Sequence, residues 1–206
     1  MKKVLLAAAV VFVCGLMYFY GKATDGDKMQ RDIAEQVIRL HVVANSDSEE
    51  DQQLKLEVKE EVVQMLRDEL EQDTSVISAQ QTLRDHLREV EQTASGYIQR
   101  KGYDYEVKAE LGTCYFPVKQ YGDMTFPAGE YKALKVNIGK HEGKNWWCVM
   151  YPTLCFVDST YQIVPEESKE KLKENLSEEE YESLLTGGED VKYGFKIVDF
   201  LTDLLS

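Results

Sequence analysis

The hydrophobic period of the chain changes at Gly102, and that change constrains the fold more than any other feature. Before it, apolar residues recur at helical spacing: Leu54, Val58, Val62, Met65, Leu66 and Leu70, then Leu83, Leu87, Val90, Ala94 and Tyr97. After it, Tyr103, Tyr105, Val107, Ala109 and Leu111 alternate with Asp104, Glu106, Lys108 and Glu110, the two-residue period of a half-buried strand. Helices that cluster ahead of strands imply an α+β fold. The expectation is two amphipathic helices packed on a mostly antiparallel sheet of four to five strands, with a C-terminal helical and acidic extension.

Local signals place the elements. Ser46 with Glu49 fits a capping box, opening a helix that runs to about Glu71. A second helix opens near Ser78, whose capping partner is Gln81, and closes at Arg100 and Lys101, with Gly102 as a C-cap. Ahead of both, Ile33–Val43 reads as a strand entered by a helical turn, with Ile38, Leu40 and Val42 alternating against Arg39 and His41. Beyond the 103–111 strand, Gly112 is a break. Residues 113–121 form the next strand, in which Pro117 marks an edge or a bulge. Pro127-Ala128-Gly129 fits a tight turn, Leu134, Val136 and Ile138 alternate in a further strand, Gly139–Asn145 is a polar loop, and Trp146–Tyr151 is the last strand.

The chain ends fall outside this core. Lys2 and Lys3 precede Val4–Tyr20, 17 residues without a charge, followed by Gly21-Lys22-Ala23. That is long for a signal-peptide core and slightly short for a spanning helix. Residues 1–23 are therefore a signal peptide or an N-terminal membrane anchor, and 24–32 a polar tether. The domain is expected over 33–160 and the acidic extension over 161–206, with the apolar tail Val191–Leu205 docking back. The net charge is −13, and residues 1–23 hold three lysines and no acid, so the rest is more acidic still. Such a surface repels nucleic acid and anionic headgroups. No nucleic-acid partner is expected, and membrane contact is through residues 4–20.

Cys14 lies in the export segment, leaving Cys114, Cys148 and Cys155. Disulfides persist outside the cytoplasm. Cys148 and Cys155 are seven positions apart, about 23 Å if extended. A bridge needs Cα atoms about 4.4–6.8 Å apart, so the chain must fold back between them, where Pro152 sits. A Cys148–Cys155 disulfide is the expectation, with Cys114 a competitor from a neighbouring strand and three free thiols the alternative.

Strong catalytic motifs are missing from the sequence. It has no GxSxG, HExxH, P-loop or paired CxxC. His41, His86 and His141 are scattered, so no metal or cofactor is expected. His86 sits among charges and reads as solvated. The 139–145 loop, with Gly139, Gly143 and two lysines, reads as a plain hairpin loop or, less simply, an anion-binding nest. A thiol enzyme would combine Cys148 as nucleophile, His41 as base and Asp158 as orienter. Strand parity sets Arg39 and His41 on one face, while Trp146 and Trp147 point to opposite faces. Asn45, Ser46 and Asp47 are good cap and turn formers.

Two blocks carry a family resemblance. The first is Arg39-Leu40-His41-Val42-Val43-Ala44-Asn45-Ser46-Asp47 with Asp51-Gln52 and Leu54-Lys55-Leu56. The second is Phe126-Pro127-Ala128-Gly129-Glu130-Tyr131, Ile138-Gly139-Lys140, Gly143-Lys144-Asn145-Trp146-Trp147-Cys148-Val149 and Leu154-Cys155-Phe156-Val157-Asp158. Over about residues 37–158 the chain resembles the stage II sporulation protein R family. It departs from that pattern at Thr153, where the family tends to a second proline, and at His141, where it tends to a small residue.

The resemblance implies a non-enzymatic protein made in the forespore and exported toward the intermembrane space. There it would trigger a membrane-embedded aspartic protease of the mother cell that removes the pro-segment of sigma factor E. The expected contact surface comprises Arg39, His41, Asn45, Asp47, Lys144, Asn145, Trp146 and Trp147, because exposed aromatics and arginines anchor interfaces. The rivals are a cell-envelope hydrolase using Cys148 and an anchored spore-envelope assembly protein.

Overall fold

The computed structural model describes residues 26–152, 154–155 and 164–185. The segment 1–23 expected to direct export, Asp158 and the tail 191–205 lie outside the described residues. No described helix is long and apolar enough to cross a membrane.

Residues 26–35 form helix α1, where a tether is expected over 24–32. Met29, Ile33 and Val37 recur every fourth position, and Ile33 and Val37 are buried in the core. Gly129 lets α1 sit close, because a Cβ there would collide with the Gln30 side chain. Strand β1 (Ile38–Val43) follows and is buried along its whole length. Helix α2 (Glu49–Gln72) is capped by Ser48, whose hydroxyl accepts the Asp51 N–H, and not by Ser46. Leu54, Val58, Val62, Leu66 and Leu70 are its buried stripe.

The expected second helix is two. Helix α3 (Val76–Asp85) starts at Ser75, whose side chain exchanges hydrogen bonds with Ser78 in a capping box. Helix α4 (Leu87–Arg100) follows directly, and His86 closes one helix and opens the other. Its Nδ1 lies 2.7 Å from the Thr82 carbonyl oxygen, so His86 is a half-buried joint rather than a solvated side chain. Gly102 ends the helical region with φ +86°, a conformation suited to glycine.

Strand β2 (Val107–Phe116) runs through Gly112 without a break, since Gly112 stays in register with Ala133. Tyr103 and Tyr105 precede the strand and stack on each other instead. Pro117, which lacks an N–H, separates β2 from a short hairpin of β3 (Lys119–Tyr121) and β4 (Met124–Phe126). A bend at Ala128, where a tight turn is expected, leads into β5 (Gly129–Ile138), and β6 (Asn145–Tyr151) closes the sheet.

The main sheet has the order β2-β5-β1-β6. β1 is parallel to β5, and the other neighbours are antiparallel. The fold is α+β, as expected. Helices α2, α3 and α4 cover the face bearing Leu40, Val42, Leu134 and Val136. The β3–β4 hairpin lies over the opposite face at Arg39. Helices α5 (Glu166–Asn175) and α6 (Glu178–Leu185) extend the hairpin layer. Lys169 reaches Asp123 in the hairpin turn at 2.6 Å, and α6 packs on β4.

Candidate partner-binding surface

The turn after β1 and the loop after β5 form one hydrogen-bonded unit. Asn45 Oδ1 accepts from Lys140 N–H (3.0 Å), and Asp47 Oδ1 accepts from Lys144 N–H (2.7 Å). The Ala44 carbonyl accepts from Gly143 N–H, and the Asn45 carbonyl from Glu142 N–H. Gly139 N–H donates to Glu106 and His141 N–H to Ile138. Every amide from 139 to 144 therefore has an internal partner, which leaves no anion-binding nest; the plain loop is what forms.

Two glycines permit this closeness. Gly139 has φ +56°, and a Cβ on it would strike Asn45 Oδ1. A Cβ on Gly143 would strike the Ser46 carbonyl.

Asp51 anchors the unit from α2. Ser46 Oγ (2.6 Å) and Asn45 Nδ2 (2.8 Å) both donate to its carboxylate. Burial pushes the Asp51 carboxyl up, but the bonds from Ser46, Asn45 and Tyr105 outweigh it and hold it below the usual range. Lys55 donates to the Lys144 carbonyl and to Gln52 Oε1, and burial lowers its pKa although the Asp47 charge opposes this. Asp51, Gln52 and Lys55 are supports that sequence reasoning did not assign. The hints were their placement in the first turns of α2, beside the cap, and their presence in the first of the two blocks that carry the family resemblance.

On the sheet face opposite α2, His41 stacks on Trp147 with ring centroids 3.9 Å apart. Its Nε2–H donates to Asn145 Oδ1 at 2.7 Å. Phe116 closes edge-on against both rings. Burial lowers the His41 pKa, the Asn145 bond opposes that shift, and Lys135 adds to it.

Arg39 lies deeper, at 0% exposure. Its Nε donates to the Cys148 carbonyl (3.1 Å) and an Nη to the Tyr121 hydroxyl (2.8 Å), which donates to the Trp147 carbonyl (3.0 Å). Its guanidinium carbon sits 4.4 Å from the Phe116 ring centroid and 4.8 Å from that of Tyr131.

The expected contact set therefore divides. Arg39 and His41 are buried and present no contact surface; the β3–β4 hairpin covers one and the Trp147 and Phe116 rings enclose the other. Asn45 and Asp47 use side-chain oxygens to hold the loop, so their role here is structural. Lys144 and Asn145 are exposed. Trp146 and Trp147 are half-buried on opposite faces, Trp146 beneath Lys59 of α2 with Nζ 5.1 Å from its ring. The structure presents a rigid loop with Lys140, Glu142, Lys144 and Asn145 outward.

Residues 34–161 match the family model described as stage II sporulation protein R. The chain belongs to the stage II sporulation protein R family. It is 30% identical over 224 aligned residues to the stage II sporulation protein R of Bacillus subtilis (strain 168), and the match covers 100% of both chains. No solved structure matches it. The two blocks that carry the family resemblance meet in three dimensions: the first supplies the 44–47 turn and Asp51, the second the 139–145 loop.

Cys148 is bonded to Cys155, with Cα atoms 5.3 Å apart, and Cys114 is free. The fold-back runs through Pro152, and Leu154 N–H returns to the Val149 carbonyl. A bridged Cys148 offers no thiolate, which removes the nucleophile of the thiol-enzyme alternative in this form of the protein.

Proposed function

We propose that this member of the sporulation family is an exported signal that activates a membrane-embedded aspartic protease of the mother cell, leading to processing of pro-sigma-E. Its place of action would be the intermembrane space between forespore and mother cell. Family membership supports the sporulation role, and the uncharged run Val4–Tyr20 behind Lys2 and Lys3 supports export.

The observation that carries the reading of the contact surface is where the rigid loop sits. The chain enters the domain through α1, which packs at the Gly129 end of β5. The 139–145 loop leaves the Ile138 end, about 30 Å away along the strand. Residues 21–25 span at most about 18 Å. A domain held by residues 4–20 would thus present the loop away from its own membrane and toward the opposing one. Contacts from Lys140, Lys144, Asn145 and the exposed edge of Trp147 would favour the active protease by binding that state more tightly.

The test is an immunoblot for the sigma-factor precursor in sporulating cells. Deletion of the protein should leave the precursor unprocessed; normal processing would end the functional proposal, and unchanged timing is also what a spore-envelope assembly protein predicts. With deletion blocking, a Lys140→Glu, Lys144→Glu double variant exported at wild-type level should slow processing at least tenfold. Wild-type kinetics in that variant would sink the surface assignment alone.

A further inference from the structure

β2 is an edge strand of the main sheet, and no described strand pairs with its outer side. Ala109 N–H points to that side, where the Glu91 carboxylate of α4 takes it at 2.9 Å. The two-residue period of an antiparallel ladder turns the N–H and C=O of Leu111, Thr113 and Tyr115 the same way. Among the described residues nothing bonds to this backbone row. Pro117, which has no N–H, ends it. Natural edges are usually blunted by charges or prolines. This one is guarded only at its ends, since Leu111–Val118 holds no charge in a chain that is 30% charged.

The side chains on the row are accessible too. Leu111 is half-buried, Thr113 is exposed and Tyr115 is 63% exposed. All three lie on the helix-bearing face of the sheet, where an open cleft between α1 and α3 reaches Thr113.

We infer that two copies of this chain pair through the outer edges of β2, antiparallel about a two-fold axis at Thr113, and join their four-stranded sheets into one. The two guards select this register. A shift toward Ala109 asks for an N–H that Glu91 already holds, and a shift toward Pro117 asks for one that does not exist. Centred on Thr113, every outward residue of the row pairs: Thr113 with the partner's Thr113, and Leu111 with the partner's Tyr115. On the other face Gly112 meets the partner's Cys114, so no charge opposes a charge. The edge is therefore complementary to itself, as a two-fold contact requires. Cross-strand aromatic–apolar and Thr–Thr pairs are contacts that stabilise sheets. A second copy is favoured over a foreign strand because it satisfies both end stops in both chains at once. The contact is short, so the dimer is of the weak, transient class. The 139–145 loops leave β5 beside Val107, outside the contact, and stay free in both copies.

Disulfide trapping in the full-length chain tests the register. Even-numbered residues of β2 bond toward β5, so Gly112 and the partner's Cys114 would form a non-hydrogen-bonded pair. Its Cα atoms would be about 4.5 Å apart, within disulfide reach. A Cβ on Gly112 meets nothing within 4 Å, so the fold accepts a cysteine there. Mild oxidation of Gly112→Cys should give a covalent dimer that reductant dissolves, while the parent and Lys108→Cys should give none. Hydrogen exchange in the parent provides a second readout. On dilution the Thr113 and Tyr115 amides should exchange about tenfold faster as the dimer dissociates. In Tyr115→Glu, altered at an exposed position, they should exchange fast at every concentration. Each copy carries a net charge of −13, so added salt should favour the dimer by screening their repulsion. Equal trapping of Lys108→Cys and Gly112→Cys would overturn the inference. So would protection of Thr113 and Tyr115 that does not change on dilution, which would mean that something other than a second copy covers the edge.

Discussion

Arg39 and His41 project from one face of β1, two residues apart, and both are buried. The aromatic rings around Arg39 offer their negative faces to the guanidinium, whose Nε and one Nη donate to the Cys148 carbonyl and the Tyr121 hydroxyl, while the other Nη has no hydrogen-bond partner. His41 has only Asn145, and its folded-state pKa lies below the ordinary value of about 6.5. A histidine kept neutral by folding contributes stability that is complete above its unfolded pKa and declines as pH falls through that value toward the folded one. Melting temperature should therefore drop between about pH 7.5 and 5.5. The drop should be smaller in His41→Phe, which can keep the ring stack on Trp147; an equal drop in both would show that His41 is not its source. Parity in the sequence put both residues on one face, and that was correct. Their burial was not legible, because the hydroxyl that covers Arg39 comes from Tyr121, 82 positions away.

Elements were legible where their signals are local. The α2 stripe, the Gly102 stop and the alternation of β5 all appear as period or stop signals within a few residues, while the tight turn expected at Pro127-Ala128-Gly129 is a bend at Ala128. Caps were misplaced by two or three residues because Ser46 and Ser48 both suit the start of α2; Ser46 is drawn off to Asp51 and leaves Ser48 to cap. The same competition built the staple between the β1–α2 turn and the 139–145 loop, which sequence treated as contact residues. Two variants probe it. Asn45→Ala removes the acceptor of Lys140 N–H and a donor to Asp51, and should cost about 1–3 kcal/mol. Gly143→Ala sets a Cβ against the Ser46 carbonyl and should cost about as much. In both, amides 140–144 should exchange faster while those of α4 stay protected. Loss of protection across the whole chain would instead mean the unit is part of the global fold nucleus, and unchanged exchange would mean it is not a staple.

At the scale of the molecule, the parallel β1–β5 pairing encloses the hairpin and joins segments nearly a hundred positions apart, so no local pattern could announce it. The Cys148–Cys155 bridge could be anticipated, since seven positions and a proline favour a fold-back, yet Cys114 could be excluded as partner only by the fold: Cys114 lies on β2, at the opposite edge of the sheet from β6. This bridge connects stability to location. Closing so short a loop stabilises by about 2–3 kcal/mol on the chain-entropy estimate, a sizeable share of the roughly 5–15 kcal/mol that holds a domain folded. The cytoplasm keeps thiols reduced. A chain retained there by deleting residues 1–23 should have all three of Cys114, Cys148 and Cys155 open to alkylation when unfolded without reductant. In the exported chain only Cys114 of these three should be alkylated, and the domain should unfold at higher urea by the increment the bridge supplies. Reduction should erase that difference in urea midpoint. Alkylation of Cys148 and Cys155 in protein recovered from outside the cytoplasm would refute the coupling. If it holds, the export proposed for this chain would do more than move the domain: the protein would acquire part of its stability only after crossing.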